Sequence, residues 1–535
     1  MHTLSPMTIS EQQPILNLPV TVEAEERDLF LFTGSRFLSH CKIRLAAGCQ
    51  PDYWVFLDLR SKIGQQLLIR SDHDLPELRN LLRWTREPVT ETKREDEERL
   101  RPRYHFTTRR GWLNDPNGLI WHDGQYHLYY QHNPFGTHWG AMHWGHATSP
   151  DLIHWQHHPI AMYPHAAHDF CFSGSIILDA SNRTGLGSRN QPPLLAFFTS
   201  TGRGECMRYS LDHGFTWHEY GANPVWVHSP ADPDDHRPPA GRGRDPRVFY
   251  HSESAAWIMV TYEEAANGEH TIVFCRSEDL LHWRQTSAIA GFYECPECFP
   301  LFLENGDSVP LWVLWGADGS HYIGDFDGHR FDPRTPVQRC VYGDWYAAQT
   351  YTTLAPGDGR RVAFAWLRTN FPSGVPFNQQ MTIPVCVGLR GDRQHPRLIV
   401  NPVEELEKHF CAVEELCPQS GDSLRTGCDA GRWRLRLCPG ESSSFTYLEV
   451  GQTRLAIEWD TNTLIFRNER IERLTHVQAP LKLDIFWDRA SVEIFVDHGD
   501  LLLVDGGVIA PAKLGVLSLA PEAVVAASHI AEWCS

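Results

Sequence analysis

Three acidic residues lie in short Pro-containing segments that are far apart along the chain: Asp115 in NDPNG, Asp245 in GRGRDPRVF and Glu294 in FYECPECF. Two carboxyl groups about 5 to 5.5 Å apart can cleave a glycosidic bond, because one attacks the anomeric carbon while the other protonates the leaving oxygen. A third carboxylate can hold sugar hydroxyls and stabilise the developing positive charge. Each residue alone is typical of a turn or a surface, so the hypothesis requires all three to meet at one site.

The stretch GWLNDPNG (residues 111–118), which contains Asp115, predicts a tight turn. Asn and Asp hydrogen-bond their own backbone, Pro fixes φ, and Gly accepts a positive φ. We expect this turn to hold Asp115 toward the site, with Asn114 beside it.

The aromatic stretch YYQHNPFGTHWGAMHWGHA (129–147) contains side chains that suit a sugar, such as Gln131 and Trp139. An indole face stacks on C–H bonds, and an amide makes paired hydrogen bonds to hydroxyls. His143 and His146 also raise the alternative of a zinc site, which is disfavoured because no acidic or Cys ligand stands at a matching spacing. No metal is expected.

The fourteen cysteines do not form the dense framework of a small secreted domain. The C-x-x-C at 295–298 has no second copy and no thioredoxin-like βαβ pattern around it, so redox or zinc chemistry there is disfavoured. The beginning of the sequence lacks the basic, apolar and small-residue order of a signal peptide. We therefore expect reduced thiols and a cytoplasmic protein, with secretion as the alternative if a leader was removed.

Bulk composition limits the partners. A chain of 535 residues is too long for a single hydrophobic core, and with 42% hydrophobic residues it can form two or three domains. A net charge of −18 argues against nucleic acid and anionic membranes, since both require clustered Lys and Arg. No segment reaches the roughly 18 uninterrupted apolar residues of a membrane helix. A neutral substrate fits better.

A weak internal repeat indicates how the three carboxylates can be brought together. The segments SPDLIHW (149–155), SLDHGFTW (210–217) and SEDLLHW (277–283) share Ser, Asp and Trp in order, and GDFDGHRF (324–331) is a degenerate fourth copy. Repeats of strands and turns at this spacing are typical of propeller blades, whose inner strands meet at a common axis. Chance recurrence of turn residues is the alternative.

The remaining segments predict two flanking β domains. Short alternating strands such as YWVFLDL fill residues 20–100 after an N-terminal tail (1–19), and a mixed-charge run, ETKREDEERLRPR, closes that region as a linker or short helix. We assign residues 101–400 to the catalytic propeller. After the helical spacing of NPVEELEKHF, strands such as LKLDIFWD and SVEIFVD predict a C-terminal β-sandwich over 401–535.

Several motifs in one order resemble glycoside hydrolase family 32, which comprises invertases, exo-inulinases, levanases and related fructosyltransferases. They are GWLNDPNGLIW, YYQHNPFGTHWGAMHWGHATSPDLIHW, FSGS (172–175), RDP (244–246), EC (294–295) and DRASVEIFVDHG (488–499). The N-terminal segment also looks like the extra β domain of a bacterial levanase-like branch.

The resemblance implies an all-β chain with a five-bladed propeller that carries the site, followed by a C-terminal β-sandwich. It implies that Asp115 is the nucleophile, Glu294 the general acid/base, and Asp245 the transition-state stabiliser. The matching substrate-binding positions are Asn114, Asn117, Gln131, Trp139, Phe172, Ser173, Arg244 and Trp366. The implied reaction is release of terminal fructose from sucrose or fructans, without a metal or an organic cofactor.

The sequence departs from the family pattern at Ala141, at Glu297 and in TIPVCVGL (382–389), which bears on substrate preference. Two alternatives stay open. A fructosyltransferase would use the same residues, and a non-catalytic fructan-binding protein would not need the three intact carboxylates. Either flanking β domain can also supply the contact of a homodimer.

Overall fold

The computed structural model describes residues 2–72, 78–90, 95–228, 237–265, 267–304, 306, 308–415, 423–425, 428–439, 445–473, 479–510, 513, 515–519 and 524–534, and these residues are nearly all β. The short helical segments are Arg60–Lys62, Glu95–Leu100 and Glu404–His409, which are 3₁₀, and Leu78–Leu81 and Pro239–Arg242, which are α. Within the described ranges, no helix is both long and apolar enough to cross a membrane.

Five antiparallel sheets follow one another along the middle of the chain, and the main strands of each sheet pair in sequence order. The first contains Gly111–His122, Gln125–Asn133, His143–Ser149 and Gln156–His157, and the second Cys171–Leu178, Leu194–Ser200, Gly204–Ser210 and His218–Glu219. The third contains Gly243–His251, Ala256–Glu264, His270–Ser277 and Arg284–Ala290. The fourth contains Glu297–Leu301, Leu311–Trp315, Ser320–Phe326 and Phe331–Pro333, with Gln338–Arg339 beside them. The fifth contains Trp345–Thr350, Val362–Leu367, Val385–Arg390 and Arg397–Pro402, with Gln380–Met381 beside them.

The first strands of these sheets pack together. The first strand of the second sheet contacts those of the first and third sheets, and the first strand of the fifth contacts that of the first. The short strand Phe377–Asn378 also adds in parallel to the first strand of the first sheet. The end of this series of sheets therefore lies beside its beginning.

Burial explains why the middle strands are apolar at successive positions. All seven residues of Leu194–Ser200 are buried, since neighbouring sheets cover both faces of this strand. The fourth strand of the third sheet, Arg284–Ala290, has no buried residue and begins with four polar residues. The strand in the middle of a sheet is thus more buried than the strand at its outer edge.

The repeat predicted from the sequence occupies equivalent positions. Asp151, Asp212 and Asp279 each lie in the turn between the third and fourth strands of the first three sheets, and Asp327 lies in the same turn of the fourth. In the first three turns the Trp indole donates to a backbone carbonyl within the turn at 3.0 to 3.1 Å. The recurrence is therefore structural and not chance.

Two further sheets form the C-terminal part. One contains Val341–Gly343, Phe410–Glu415, Gly431–Cys438, Leu481–Asp488, Ser491–Val496, Leu501–Gly506 and Val524–Trp533. The other contains Ser423–Arg425, Phe445–Val450, Thr453–Glu458, Thr463–Phe466, Glu469–Glu472 and Val516–Leu519. Apolar side chains of both sheets, including Trp433 and Ile457, share one core. Because Val341–Gly343 comes from the connection between the fourth and fifth sheets, the C-terminal part is joined directly to the middle of the chain.

A buried histidine reinforces that junction. The Nδ1 atom of His105 lies 2.9 Å from a carboxylate oxygen of Asp488, and its Nε2 atom lies 2.8 Å from one of Glu493. Burial alone would lower the pKa of His105, but hydrogen bonds and charge from both carboxylates raise it to about 9. The imidazolium form therefore links the start of the first sheet to the C-terminal sheet.

The N-terminal part also consists of two sheets around one core. One contains His2–Thr3, Met7–Thr8, Arg27–Thr33, Arg36–Ile43 and Gln66–Ser71, and the other Ile15–Val20, Tyr53–Asp58 and Arg83–Thr85. The predicted tail over residues 1–19 is therefore wrong where the structure describes it, because three strands lie there and Ile15–Val20 is buried at every position. These strands pair with partners 33 to 70 residues further along, which local sequence does not reveal.

The N-terminal sheets contact the loop that carries Trp139. Phe135 of that loop is fully buried in the N-terminal core. The Nε2 atom of His138 lies 3.0 Å from a carboxylate oxygen of Glu26, and the Ser39 hydroxyl lies 2.8 Å from Nε2 of His143. The N-terminal part therefore supports this loop from one side.

Cys411, in the strand Phe410–Glu415, forms a disulfide with Cys534, which directly follows the strand Val524–Trp533 of the C-terminal seven-stranded sheet. The expectation that all cysteines are reduced thiols is thus wrong for this pair. The strands Phe410–Glu415 and Val524–Trp533 run side by side and bring the two residues together, although they are 123 positions apart in sequence. Cys295 and Cys298 of the C-x-x-C segment are free thiols.

Candidate active site

Asp115 lies in the first strand of the first sheet, and the predicted tight turn at GWLNDPNG is wrong. Leu113 pairs with His132 in the neighbouring strand. The next pair is Pro116 with Tyr130, so two residues of this strand face a single residue of its neighbour. Such a β-bulge also uses residues that tolerate irregular backbone geometry, and it turns a side chain away from its normal direction. The turn-forming residues of this stretch thus serve a bulge at Asn114 and Asp115.

The same irregularity recurs at equivalent places in other first strands. In the second, third and fifth sheets as well, two residues of the first strand lie opposite a single residue of the second strand. In the fourth sheet, Glu294 and Cys295 directly precede the first strand with φ values of 53° and 43°. The bulged positions are Phe172 and Ser173, Asp245 and Pro246, and Ala347 and Ala348. Repeated bulges therefore direct side chains from different sheets toward one centre.

Asp115 accepts three contacts at this centre. The Ser173 hydroxyl donates to its Oδ2 atom at 2.6 Å, the Asn114 amide donates to Oδ1 at 3.0 Å, and the Cys295 thiol lies 3.6 Å from Oδ2. Burial raises the pKa of Asp115, and the charge of Glu294 adds to this rise, while the hydrogen bonds from Ser173 and Asn114 oppose it. These contacts hold the carboxylate of Asp115 in one orientation.

Asp245 is the most deeply buried of the three carboxylates. Its φ of 67° lies in the left-handed region, and its backbone N–H donates to the Thr199 hydroxyl at 2.9 Å, which fixes this unusual conformation. Its Oδ2 atom accepts from the backbone N–H of Cys295 at 3.1 Å, and the Cys295 thiol lies 3.6 Å away. Burial raises the pKa of Asp245, and the adjacent Arg244 opposes that rise.

Glu294 is more accessible, with 23% of its side chain exposed. Arg244 donates to its Oε1 atom from Nε at 3.0 Å and from Nη2 at 2.7 Å, and the Tyr346 hydroxyl donates to Oε2 at 2.7 Å. Arg244 also donates to the hydroxyl of Tyr293 at 3.1 Å. Both oxygens of Glu294 are therefore held in place, and the carboxyl group stays in reach of solvent.

Aromatic side chains surround the carboxylates on two sides. Trp139 is 50% exposed, and its ring meets those of Phe170 and Phe172 edge to face, with centroids 5.9 and 6.1 Å away. On the other side, Trp366 meets Trp112 and Tyr346, each with centroids 6.0 Å apart. These aromatic side chains form walls that the apolar face of a sugar can contact.

Asn117 and Gln131, which the sequence also predicts to bind substrate, are buried and make hydrogen bonds to the second sheet. Asn117 is fully buried and its side-chain oxygen accepts from the backbone N–H of Gly174 at 3.3 Å, so it joins the first two sheets. Gln131 is 2% exposed and donates to the carbonyl of Cys171 at 2.9 Å. The side chains of Asn114, Trp139, Phe172, Ser173, Arg244 and Trp366 lie around the carboxylates.

Sequence reasoning missed two residues that contact the carboxylates. Tyr346 comes from the fifth sheet, 52 positions from Glu294, and no motif marks it. Cys295 belongs to the C-x-x-C that the sequence disfavours for redox or zinc chemistry, and its thiol lies between Asp115 and Asp245. Burial and the surrounding carboxylates raise the pKa of this thiol, so it stays protonated. Its position next to Glu294 was the available signal.

His143 and His146, the candidates for zinc in the sequence, have protein partners. The Nδ1 atom of His143 contacts the carbonyl of Ala141, and the Nε2 atom of His146 lies 3.0 Å from Nδ1 of His127. Burial lowers the pKa of His143 to about 3, and it lowers that of His146 as well. Both are therefore neutral side chains of the core.

The chain belongs to glycosyl hydrolase family 32. The sequence profile of the N-terminal domain of that family matches residues 105–402, which include the five sheets and the three carboxylates. This assignment agrees with the resemblance that the motifs carry.

Relatives of defined activity cover much of the chain. A levanase from Bacillus subtilis (strain 168) is 30% identical over 469 residues, which are 76% of this chain and 66% of the levanase. Invertase 1 of Saccharomyces cerevisiae is 35% identical over 52% of this chain and 55% of its own length. The crystal structure of exo-inulinase from Aspergillus awamori superposes with a TM-score of 0.71 at 26% identity, covering 82% of this chain and 98% of that one. The chain thus spans about two thirds or less of the levanase and the invertase, and nearly all of the exo-inulinase structure.

Proposed function

We propose that this chain is a retaining β-fructosidase that hydrolyses terminal β-D-fructofuranosyl residues of sucrose or of fructans such as inulin and levan. Family membership supports cleavage of a glycosidic bond, and the relatives include a levanase, an invertase and an exo-inulinase. One observation carries the proposal: the Cys295 thiol lies 3.6 Å from carboxylate oxygens of both Asp115 and Asp245, directly beside Glu294. Three carboxylates from separate sheets therefore share one centre.

In the first step, Asp115 attacks C2 of the fructofuranosyl unit. Its lone pairs are directed by Ser173 and Asn114, and these bonds favour the ionised form that attacks. Glu294 gives its proton to the departing glycosidic oxygen. The product is a fructosyl ester of Asp115 and a free alcohol.

In the second step, Glu294 takes a proton from water, which attacks C2 and releases fructose with the original configuration. The partial exposure of Glu294 supports this role, because the same carboxyl must meet both the leaving group and water. Arg244 and Tyr346 act as positioning residues for it. The reaction requires no metal and no organic cofactor.

Asp245 holds hydroxyls of the fructose ring and stabilises positive charge at the ring in the transition state. Its burial and its raised pKa favour a site where it meets a polar ligand rather than water. Trp139, Phe172 and Trp366 supply the apolar walls. Asn117 and Gln131 support the strands that carry the pocket.

We also infer that the five sheets are the blades of a five-bladed propeller, with the catalytic part over residues 101–400. The packing of the fifth sheet on the first supports closure of the ring. The two-sheet core over 401–535 is then the C-terminal β-sandwich, and the N-terminal sheets, with strands from His2–Thr3 to Arg83–Thr85, form an additional β domain.

The test is release of fructose from sucrose, inulin and levan by Asp115→Asn and Glu294→Gln variants. We expect the first to lose nearly all activity and the second to lose about 10²- to 10⁴-fold in kcat. Asp212→Asn is the matched control, because Asp212 lies in an outer turn of the second sheet, where it bonds Ser210 and Thr216. Wild-type rates in either active-site variant would refute the assignment.

A further inference from the structure

Asp151, His154 and His409 form a cluster away from the carboxylate centre, each offering one ligand atom, and these atoms lie within 4.8 Å of one another. Oδ2 of Asp151 lies 2.8 Å from Nδ1 of His154, and the rings of His154 and His409 have centroids 4.7 Å apart. The first two residues belong to the outer turn of the first sheet. His409 ends the 3₁₀ helix Glu404–His409, which leads into the C-terminal sheet.

The equivalent turn of the third sheet shows which contacts of Asp151 and His154 belong to the turn itself. In the equivalent turn of the third sheet, Oδ2 of Asp279 lies 2.7 Å from Nδ1 of His282, and Oδ1 accepts the same two backbone N–H bonds as Oδ1 of Asp151. Of the described residues, only the first turn has a third metal-binding side chain beside the pair. The Asp–His pair thus completes the turn by itself, and His409 is an addition.

His409 is fixed by contacts of its own. Its carbonyl accepts from the backbone N–H of Cys534 at 2.7 Å, and its ring lies 5.3 Å from that of Trp533. The imidazole is therefore held near His154 by the C-terminal strand, without any contribution from a bound ion. Preorganised ligands of this kind lose less conformational entropy when an ion binds.

We propose that Asp151, His154 and His409 bind a divalent transition-metal cation of the Zn²⁺ class, which joins the outer turn of the first sheet to the start of the C-terminal part. Two imidazoles and one carboxylate are a common set of protein ligands for Zn²⁺, with water at the fourth position. The site is separate from the carboxylate centre, so this inference does not depend on the proposed function.

The test is calorimetric titration of the full chain with ZnCl₂, combined with thermal unfolding at each metal concentration. We expect one saturable site and a Tm that rises with Zn²⁺, because an ion that binds only the folded state stabilises it. His409→Ala should lose this site. His282→Ala, which disrupts the equivalent turn that lacks a third ligand, should keep it.

Asp151→Asn provides a second variant in case His409→Ala folds poorly, because the amide oxygen still accepts the backbone bonds of the turn while its charge is lost. It should bind Zn²⁺ more weakly and show a smaller rise in Tm. Replacement by Co²⁺ should give the visible absorption of a low-coordinate cobalt site in wild type and in His282→Ala only. Equal Zn²⁺ binding by wild type and both cluster variants would overturn the proposal, as would absence of binding in wild type.

Discussion

Removal of the Ser173 hydroxyl should shift the pH dependence of catalysis. This hydroxyl donates to Oδ2 of Asp115 at 2.6 Å, and the bond favours the ionised carboxylate and lowers its pKa against the effect of burial. A hydrogen bond to a charged group contributes about 1.5 to 3 kcal/mol, which corresponds to about 1 to 2 pH units. Because Asn114 and Cys295 still contact the carboxylate, we expect the lower end, about 1 unit.

The sign follows from the role of Asp115. Ser173→Ala removes a donor that stabilises the charged form, so the pKa of Asp115 rises further and less of the nucleophile is ionised at acidic pH. The acidic limb of kcat/KM for sucrose should therefore move upward by about 1 unit, since kcat/KM reports ionisation in the free enzyme. At alkaline pH, the loss of activity should be smaller.

Two variants control for packing. Ser173→Thr keeps a hydroxyl and should retain an acidic limb close to that of wild type. Ser175→Ala removes a hydroxyl two positions along the same strand, which donates to the carbonyl of Pro246 and not to a carboxylate, so it should leave the limb unchanged. An acidic limb of Ser173→Ala at the wild-type position would refute the reasoning.

Three further outcomes follow from contacts outside the nucleophile. The pKa of His105 is raised to about 9, so the stabilisation from its charged form is complete below about pH 6.5 and is lost as pH rises through 9. The free energy of unfolding measured in urea should therefore fall by up to about 3 kcal/mol over this pH range, and His105→Gln should lack this fall. Tyr346→Phe should lower kcat by about 10-fold with little change in KM, because Glu294 loses a donor; an unchanged kcat would contradict this. Glu26→Gln weakens the contact with His138 in the loop that carries Trp139, so KM for inulin should rise by up to about fivefold; Glu25→Gln is the control and should leave KM unchanged.

The three carboxylates could be selected from the sequence because residue types and short motifs are local properties. Asp115, Asp245 and Glu294 indeed meet, and the repeated turns at Asp151 and Asp279 occupy equivalent places. Their convergence depends on pairing between distant strands. A segment of Asn, Asp, Pro and Gly favours a turn and a bulge alike, and only the strand opposite it decides between them.

Other features had no local signal. Tyr346 bonds Glu294 from a sheet that begins 51 positions later, and nothing in WYAAQT marks it. Gln131 has the type of residue that binds sugars, and its amide also donates to the carbonyl of Cys171 in the second sheet, a contact that no local motif marks. The two-residue strands His2–Thr3 and Met7–Thr8 lack length and pattern, and they form because they pair with the strand Gln66–Ser71 further along the chain.

In the proposed reaction, Asp115 carries fructose covalently, while Glu294 first protonates the departing glycosidic oxygen and then activates water. Glu294→Gln tests it with p-nitrophenyl β-D-fructofuranoside, whose leaving group departs without a proton, so that the first step proceeds while the second is slow. Mass spectrometry of the intact chain should then show an increase of one fructosyl unit, located on the peptide that contains Asp115, and Asp115→Asn should show none. A fructosyl group on another residue, or release of nitrophenol without any adduct, would contradict the account.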